Sequence, residues 1–203
     1  MVAEKVQDGQ VIGAGSGSTS WLAIKAIAKR VQEEGLHIEM IPTSYEGEML
    51  CRTLGIPVTS LLSKKPDWGF DGADEVDEKG NILKGRGGAM LREKMNMAQS
   101  PLTYILVDSS KMVEKLGTHF PVPVECDRLA AYYVKEQLET LGATKVGFRK
   151  AVAKDGPVFT ENNHVILEAT FAEIPDTLEK DMKKITGVIE SGLFLGYPVE
   201  ILQ

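Results

Sequence analysis

Residues 10–35 read QVIGAGSGSTSWLAIKAIAKRVQEEG: an apolar run, a glycine-rich turn and an amphipathic segment in direct succession. In the last part, apolar side chains recur at helical spacing, at Leu22, Ala23, Ala26, Ile27 and Val31. Gly35 stands where such a helix is expected to end. The stretch therefore predicts a strand whose carboxyl end opens onto the N-terminus of a helix.

Strand-like and helix-like segments continue to alternate as far as residue 108. The predicted strands are HIEMIP, IPVTSL, a run that ends at DGAD, and LTYILVD (102–108), and the predicted helices are SYEGEMLCRTLG and AMLREKMNMAQ (89–99). This alternation predicts an α/β fold with a doubly wound, mostly parallel sheet. Ligands bind such sheets at the carboxyl ends of the strands.

The pattern changes at FPVPVEC (120–126), whose two prolines suggest an extended connector. A helix is predicted at residues 128–142, strands with period-two alternation around 165–169, and a last helix from Pro175 to Gly187. We therefore predict a first domain at residues 1–126 and a smaller α+β domain at residues 127–195. Residues 196–203 are expected to return to the first domain as a strand.

The bulk composition argues against several classes of function. The chain has 203 residues and a formal charge of −6, with no basic surface for nucleic acid. Cys51 and Cys126 form no C-x-x-C spacing, which predicts reduced thiols and no metal site. No apolar run suits a signal core or a membrane span, so we expect a cytoplasmic protein without membrane contact.

Residues 13–20, GAGSGSTS, lie at the first strand-to-helix junction. Glycines let backbone N–H groups face a ligand, and the helix N-terminus adds positive charge. Ser16, Ser18 and Thr19 add hydroxyl groups. The spacing fits neither a dinucleotide-binding motif nor a Walker A loop. The motif predicts a phosphate or carboxylate site, with a tight turn and an N-capping serine as the alternative.

The motif DGAD, residues 71–74, follows directly on a predicted strand. Asp71 and Asp74 can point into one crevice, a pair suited to acid–base chemistry, although a capping turn is the alternative. The residues that follow are predicted to form a solvated turn: Glu75, Asp77, Glu78 and Lys79.

A third motif, LKGRGGAMLREK, puts Lys84 before a glycine loop and Glu93 in the first turns of a helix. A lysine beside backbone N–H groups suits an anionic substrate. Glu93 either faces the same crevice or lies on the helix surface.

A fourth motif, VDSSK, brings Lys111 to another strand end. Together, the four loops predict a small phosphorylated substrate that undergoes proton transfer without a cofactor.

The motifs GSGSTS, DGADEVD, KGRGGAMLREK, VDSSK and FPVPVE occur in the order and spacing of the type A ribose-5-phosphate isomerases. The chain resembles this family over nearly its whole length. The resemblance implies a Rossmann-like domain with a smaller α+β domain, and a homodimer or homotetramer. It also implies interconversion of ribose 5-phosphate and ribulose 5-phosphate in the non-oxidative pentose phosphate pathway, without cofactor or metal.

Carried over by position, the resemblance makes Glu93 the catalytic base. It implies that Lys84 with Asp71 stabilises charge or moves protons at O1 and O2, and that Asp74 assists ring opening. The implied substrate-binding residues are Ser16, Gly17, Ser18, Thr19, Asp71, Gly72, Ala73, Asp74, Lys84, Gly85, Arg86, Gly87 and Lys111.

The sequence departs from the family pattern in three respects. Ser16 stands where threonine is usual, which keeps the hydroxyl group, and Arg86 replaces a glycine of the glycine loop. Both ends are short, and Lys5 is not in the register of the family's phosphate-binding lysine. Weaker phosphate affinity or weaker oligomer contacts are the expected consequences of short ends.

Two other functions stay open from the sequence. One is a coenzyme A transferase-like enzyme of related fold, in which a glutamate is the covalent nucleophile. The other is a non-catalytic sugar-phosphate-binding protein. The spacing of DGAD and Lys84 favours the isomerase over the first, and the presence of Glu93 favours it over the second.

Overall fold

The computed structural model describes residues 2–203, which divide into two compact units. The first unit comprises the described residues up to Gly72, with Arg92–Ser109 and Tyr197–Gln203. The second comprises Ala73–Leu91 and Ser110–Gly196. Three of the points at which the chain passes between the units fall within the motifs DGAD, LKGRGGAMLREK and VDSSK.

A five-stranded parallel sheet forms the centre of the first unit. Numbered along the chain, its strands are β1 (Val11–Ala14), β2 (Glu39–Pro42), β3 (Trp68–Gly72), β6 (Thr103–Leu106) and β12 (Val199–Leu202). Their order across the sheet is β12–β6–β3–β1–β2. This parallel sheet confirms the predicted α/β class. The last strand, β12, pairs with β6 and forms one edge of the sheet.

Three helices accompany this sheet: α1 (Ser18–Glu34), α2 (Tyr45–Thr53) and α3 (Met90–Gln99). Helix α1 ends as predicted at Gly35, which is left-handed with φ of 67°. Its buried face is centred on Ile24 and Ile27. Leu22 and Ala26, predicted on the apolar face, are exposed, because residues two positions apart lie on nearly opposite sides of a helix.

The core of the first unit joins α1 to the sheet through Ile12, Ile24, Ile27, Met40 and Phe70. The predicted strand IPVTSL is wrong, since only Val58 makes a single bridge, to Met40. Pro57 has no N–H to donate, and the chain turns at Ser60, whose carbonyl accepts the Ser63 N–H at 2.9 Å. The segment is therefore too short for a ladder.

Two small sheets form the second unit. One is antiparallel, in the order β10–β7–β9–β8, and comprises β7 (Val122–Cys126), β8 (Ala143–Phe148), β9 (Val165–Phe171) and β10 (Val188–Ser191). The other has the order β11–β5–β4 and comprises β4 (Glu75–Val76), β5 (Ile82–Leu83) and β11 (Leu193–Phe194). This α+β organisation agrees with the predicted fold class.

The helices of the second unit are α4 (Ala131–Thr140) and α5 (Leu178–Lys183). Helix α5 is shorter than the predicted span from Pro175 to Gly187. No helix within residues 2–203 has both the length and the apolarity that crossing a membrane requires.

The predicted connector FPVPVEC is wrong, because it contains the interior strand β7, which is buried throughout. Pro123 pairs with Glu168 of β9, and its carbonyl oxygen accepts the Gly192 N–H at 2.7 Å. In a β-strand, the backbone N and O atoms of one residue point toward the same neighbouring strand, so the Pro123 nitrogen faces β10. Because the pairing between β7 and β10 ends at Val124, the N–H that Pro123 lacks interrupts no ladder.

Glu75 is fully buried, which contradicts its predicted place in a solvated turn. Its carboxylate accepts the backbone N–H groups of Gly117 at 2.6 Å, His119 at 2.5 Å and Phe120 at 3.0 Å. The prediction holds for Glu78 and Lys79, which are exposed. Glu75 thus organises a loop more than 40 residues away in sequence, a contact that local pattern does not reveal.

Both cysteines are free and buried, in agreement with the predicted reduced thiols. Burial raises the pKa of the Cys51 thiol to about 11 and that of Cys126 to about 12.

We expect no alkylation of the folded protein by iodoacetamide at about pH 8, and two labelled thiols after denaturation, as measured by mass spectrometry. Because the unfolded thiols ionise first, stability should fall as the pH rises above 9. Stoichiometric labelling of the folded chain would contradict this burial.

Candidate active site

The first loop, residues 15–17, connects β1 to α1 in the first unit, and Ser18 and Thr19 are the first residues of the helix. The Gly15 N–H donates to the Phe70 carbonyl at 2.8 Å, and the Ser16 hydroxyl pairs with the Thr43 hydroxyl at 2.7 Å. Gly17 precedes α1 with φ of 94°, and no side chain caps this helix. Ser18 and Thr19 are exposed. The loop therefore presents a helix N-terminus and hydroxyl groups to solvent, an arrangement that suits an anion.

Asp71 ends β3 beside this loop and is 3% exposed. Its Oδ1 accepts the Gly72 N–H at 2.8 Å and the hydroxyl of the fully buried Ser20 at 3.3 Å. A Cβ atom at Gly15 would lie 2.7 Å from the Asp71 Cα and closer still to its carboxylate. Only glycine at position 15 therefore permits this approach of loop and carboxylate.

Glu93 is buried, with 4% exposure, in the first turn of α3. It lines a cavity of about 10 Å³ together with Asp71, Gly15 and Asn96, a space the size of one water molecule. The Asn96 Nδ2 donates to the Ile41 carbonyl at 2.8 Å and so ties α3 to β2. Within the first unit, two carboxylates that the sequence singled out thus line one cavity, where a carboxylate can take up or release a proton.

Replacing Gly15 by alanine should disturb this arrangement, because the new Cβ would displace the Asp71 carboxylate. A displacement of about 1 Å at a reacting group can lower activity about 100-fold. Gly147→Ala is the matched control, since no atom within 4 Å would meet its Cβ. Steady-state kinetics of both variants should show loss only for Gly15→Ala. Parental kinetics for Gly15→Ala would remove the steric argument.

In the second unit, Asp74 is half-buried, and its N–H donates to the Leu83 carbonyl at 3.0 Å. Lys84 is 4% exposed at the end of β5, and its Nζ lies 5.5 Å from the centre of the Phe194 ring. The Lys84 N–H donates to the Gly192 carbonyl at 2.9 Å. A buried lysine held by backbone and aromatic contacts is a well-positioned cation.

The glycine loop, residues 85–88, follows Lys84 in the same unit. Gly85 and Gly88 have φ of 110° and 76°, conformations that side chains rarely adopt, and the Gly88 N–H donates to the Gly85 carbonyl at 3.1 Å. Arg86 and Gly87 at the tip are exposed. Arg86, which replaces a glycine of the family pattern, thus stands on the surface of its unit.

Lys111 belongs to a short 3₁₀ segment, Ser109–Lys111, and is half-buried. Its Nζ lies 5.8 Å from the centre of the Phe120 ring. Among residues 2–203, no three His, Cys, Asp or Glu side chains stand close enough to hold a metal ion.

The comparison with known proteins decides the family. Residues 39–203 match the family model of ribose 5-phosphate isomerase A (phosphoriboisomerase A). The chain belongs to this family. The ribose-5-phosphate isomerase A of Methanothermobacter thermautotrophicus is 43% identical over 195 residues, which cover 95% of this chain and 85% of the relative. That of Archaeoglobus fulgidus is 40% identical and covers 96% and 87%.

Solved structures agree with this assignment. The ribose 5-phosphate isomerase A of Methanocaldococcus jannaschii has a TM-score of 0.94 at 37% identity, covering 98% of this chain and 89% of that one. A D-ribose-5-phosphate isomerase solved in complex with phospho-erythronic acid has a TM-score of 0.93 at 36% identity, covering 98% and 92%. The resemblance inferred from the motifs is therefore confirmed.

Several residues of the candidate site carried no signal of their own in the sequence. Thr43 orients the Ser16 hydroxyl, Ser20 donates to Asp71, and Asn96 holds α3. Thr43 follows a predicted strand by one residue, and Asn96 lies three residues after Glu93, one helical turn on the same face. Position at a strand end was the available signal for Thr43, helical spacing for Asn96, and a place at the end of the motif GAGSGSTS for Ser20.

Proposed function

We propose that this chain interconverts D-ribose 5-phosphate and D-ribulose 5-phosphate through a cis-enediol, with Glu93 as the base. The observation that carries the proposal is the burial of Glu93 beside a water-sized cavity that Asp71 also lines. Membership of the isomerase family supports the substrate. The related structure with phospho-erythronic acid supports a phosphorylated sugar acid or sugar as ligand.

The reaction begins from the open-chain aldose. The Glu93 carboxylate removes the proton from C2, and the electron pair of that bond forms the C1–C2 double bond while O1 gains a proton. The resulting cis-enediol then loses the proton on O2, and the Glu93 carboxylic acid returns its proton to C1, which gives the ketose. One carboxylate on one face thus serves both half-reactions, and a positioned base contributes about 10²–10⁴-fold to the rate.

The other assigned residues act on oxygen atoms of the substrate. Lys84 and Asp71 stabilise charge or move protons at O1 and O2, where the loss of one donor costs about 3–4 kcal/mol in the transition state. Asp74 assists opening of the furanose ring.

The remaining binding groups hold the substrate. The helix N-terminus at residues 16–19 and the glycine loop supply N–H and hydroxyl groups, and Lys111 supplies a cation for polar groups of the sugar phosphate. The exposure of Ser18, Thr19, Arg86 and Gly87 is compatible with contact to a ligand.

A coupled assay of the purified protein with ribose 5-phosphate, without added metal, tests the proposed activity. We expect turnover that chelators do not reduce. Absence of turnover, with retained binding of phospho-erythronic acid in calorimetry, would favour a non-catalytic sugar-phosphate-binding protein instead. Transfer of coenzyme A between carboxylic acids would favour the transferase.

Three broader expectations stay predictions. They are action in the pentose phosphate pathway, a cytoplasmic location and a homodimeric or homotetrameric state. Light scattering of the purified protein measures the last of these directly, and a monomer at working concentration would contradict it.

A further inference from the structure

The guanidinium group of Arg149 contacts the glycine loop inside the second unit. Its Nη1 donates to the carbonyl oxygens of Gly85 at 2.9 Å and Arg86 at 3.0 Å, and its Nε donates to Oε1 of Glu168 at 2.8 Å. The Arg149 side chain is only 15% exposed. One nearly buried side chain therefore holds two successive carbonyl groups of the loop.

Arg149 is itself held on both sides by backbone bonds. It follows β8 directly, its N–H donates to the Ile166 carbonyl at 2.8 Å, and its carbonyl accepts the Val158 N–H at 2.9 Å. Its carboxylate partner Glu168 lies in β9, paired opposite Gly147. Backbone bonds and the bond from Nε to Glu168 therefore hold Arg149 in addition to its contacts with the loop.

The two carbonyl contacts determine where the loop's N–H groups point. In a planar trans peptide, the carbonyl and the N–H of the next residue point in opposite directions. Because the Gly85 and Arg86 carbonyls face Arg149, the N–H groups of Arg86 and Gly87 face away from it. Neither N–H has a hydrogen-bond partner within residues 2–203. Two adjacent N–H groups are therefore oriented together, as in the backbone concavities that bind anions.

The glycine loop needs such an external restraint. Glycines have wide conformational freedom, and fixing a residue costs about 1–2 kcal/mol of entropy. Among the described residues, two backbone hydrogen bonds restrain the loop in addition to the contacts of Arg149. They join the Lys84 N–H to the Gly192 carbonyl at 2.9 Å and the Gly88 N–H to the Gly85 carbonyl at 3.1 Å. Neither of these bonds orients the Arg86 and Gly87 peptides at the tip.

We propose that Arg149 is a positioning residue for the isomerisation, which orients the N–H groups of Arg86 and Gly87 toward the substrate and is aligned by Glu168. The inference rests on the proposed function, because it takes the glycine loop as a substrate-binding segment. Arg149 acts through the loop and does not contact the reacting atoms. Its loss should therefore weaken binding in the ground state and the transition state alike.

Steady-state kinetics of Arg149→Ala and Arg149→Lys test the proposal. For Arg149→Ala we expect a KM for ribose 5-phosphate raised about 10–100-fold, with kcat within about threefold of the parent. Arg149→Lys keeps the positive charge but loses the planar set of N–H donors of the guanidinium group, so KM should stay raised. Added guanidinium at millimolar concentration should lower the KM of Arg149→Ala toward the parental value. Calorimetry with phospho-erythronic acid should show the same loss of affinity without turnover.

Arg30→Ala is the matched control. Arg30 also donates through Nη1 to two carbonyl oxygens, of Ala3 and Val6, and through Nε to a glutamate, Glu34, but it contacts no proposed site residue. It should keep the parental KM, and its KM should not respond to guanidinium.

Three results would overturn the proposal. A parental KM in Arg149→Ala, while the parent is active, would refute the role of Arg149 and leave the proposed function standing. An equal rise in KM in Arg30→Ala would reduce the effect to general destabilisation. A parent protein that neither turns over ribose 5-phosphate nor binds phospho-erythronic acid would refute the proposed function, and this inference with it.

Discussion

Replacing Glu93 by glutamine should lower kcat by about 10²–10⁴-fold with little change in KM. The amide has the shape of the carboxylate, so the packing around the cavity that Glu93 lines should be preserved. It cannot accept the C2 proton, which removes the step that defines the proposed mechanism. A coupled assay over a range of ribose 5-phosphate concentrations separates kcat from KM.

The control for this variant is Glu33→Gln, at an exposed glutamate of α1, which should keep parental kinetics. Thermal unfolding of Glu93→Gln should stay close to that of the parent. If Glu93→Gln retained near-parental kcat, the base would have to be another group, with the buried Asp71 as the first to examine.

Replacing Glu75 by alanine should destabilise the second unit by at least about 3 kcal/mol, because three backbone N–H groups lose a charged acceptor. Denaturant unfolding followed by circular dichroism measures the change. Tryptophan fluorescence is unsuitable, since Trp21 and Trp68 both lie in the first unit. Glu78→Ala, at an exposed glutamate of the neighbouring turn, should change stability by less than about 0.5 kcal/mol. Equal effects of the two substitutions would contradict the structural role of Glu75.

The parts of the fold that sequence reasoning predicted are those with a local signal. The apolar run before Gly13, the helical spacing that follows and the stop at Gly35 are all readable in one window, and α1 ends where expected. The parallel sheet follows from the repetition of this strand–helix pattern along the chain. Leu22 is an exception, because packing against the sheet buries the helix face through Ile24 and Ile27 and leaves Leu22 exposed.

The failures have a common physical cause, which is that a distant segment determines the role of a residue. Pro123 reads as a connector residue, yet β7 tolerates it because β10 ends beside it. Glu75 reads as surface charge, yet the loop at residues 117–120 surrounds its carboxylate. Arg149 lies 63 residues or more from the carbonyls it contacts. No periodicity or spacing carries these pairings.

For the candidate site, the sequence identified residue types well and surroundings poorly. Asp71 and Glu93 were candidates because of motif position, but for Glu93 taken alone the favoured interpretation was a place on the helix surface. The structure places both in the interior of the first unit, lining one cavity. Gly15 was noticed only as one glycine of the first loop, and its close approach to Asp71 had no local signal. Thr43 gave no chemical signal because threonine is a common residue at strand ends.

Exchange of carbon-bound hydrogen with solvent tests the central claim most directly. The parent protein is allowed to equilibrate ribose 5-phosphate and ribulose 5-phosphate in D₂O, and NMR follows deuterium at C2 of the aldose and C1 of the ketose. Because the Glu93 carboxylic acid can exchange its proton while the enediol is bound, deuterium should accumulate at both carbons over many turnovers, and far more slowly with Glu93→Gln. Full isomerisation with no deuterium at either carbon would indicate direct hydride transfer and contradict the enediol mechanism.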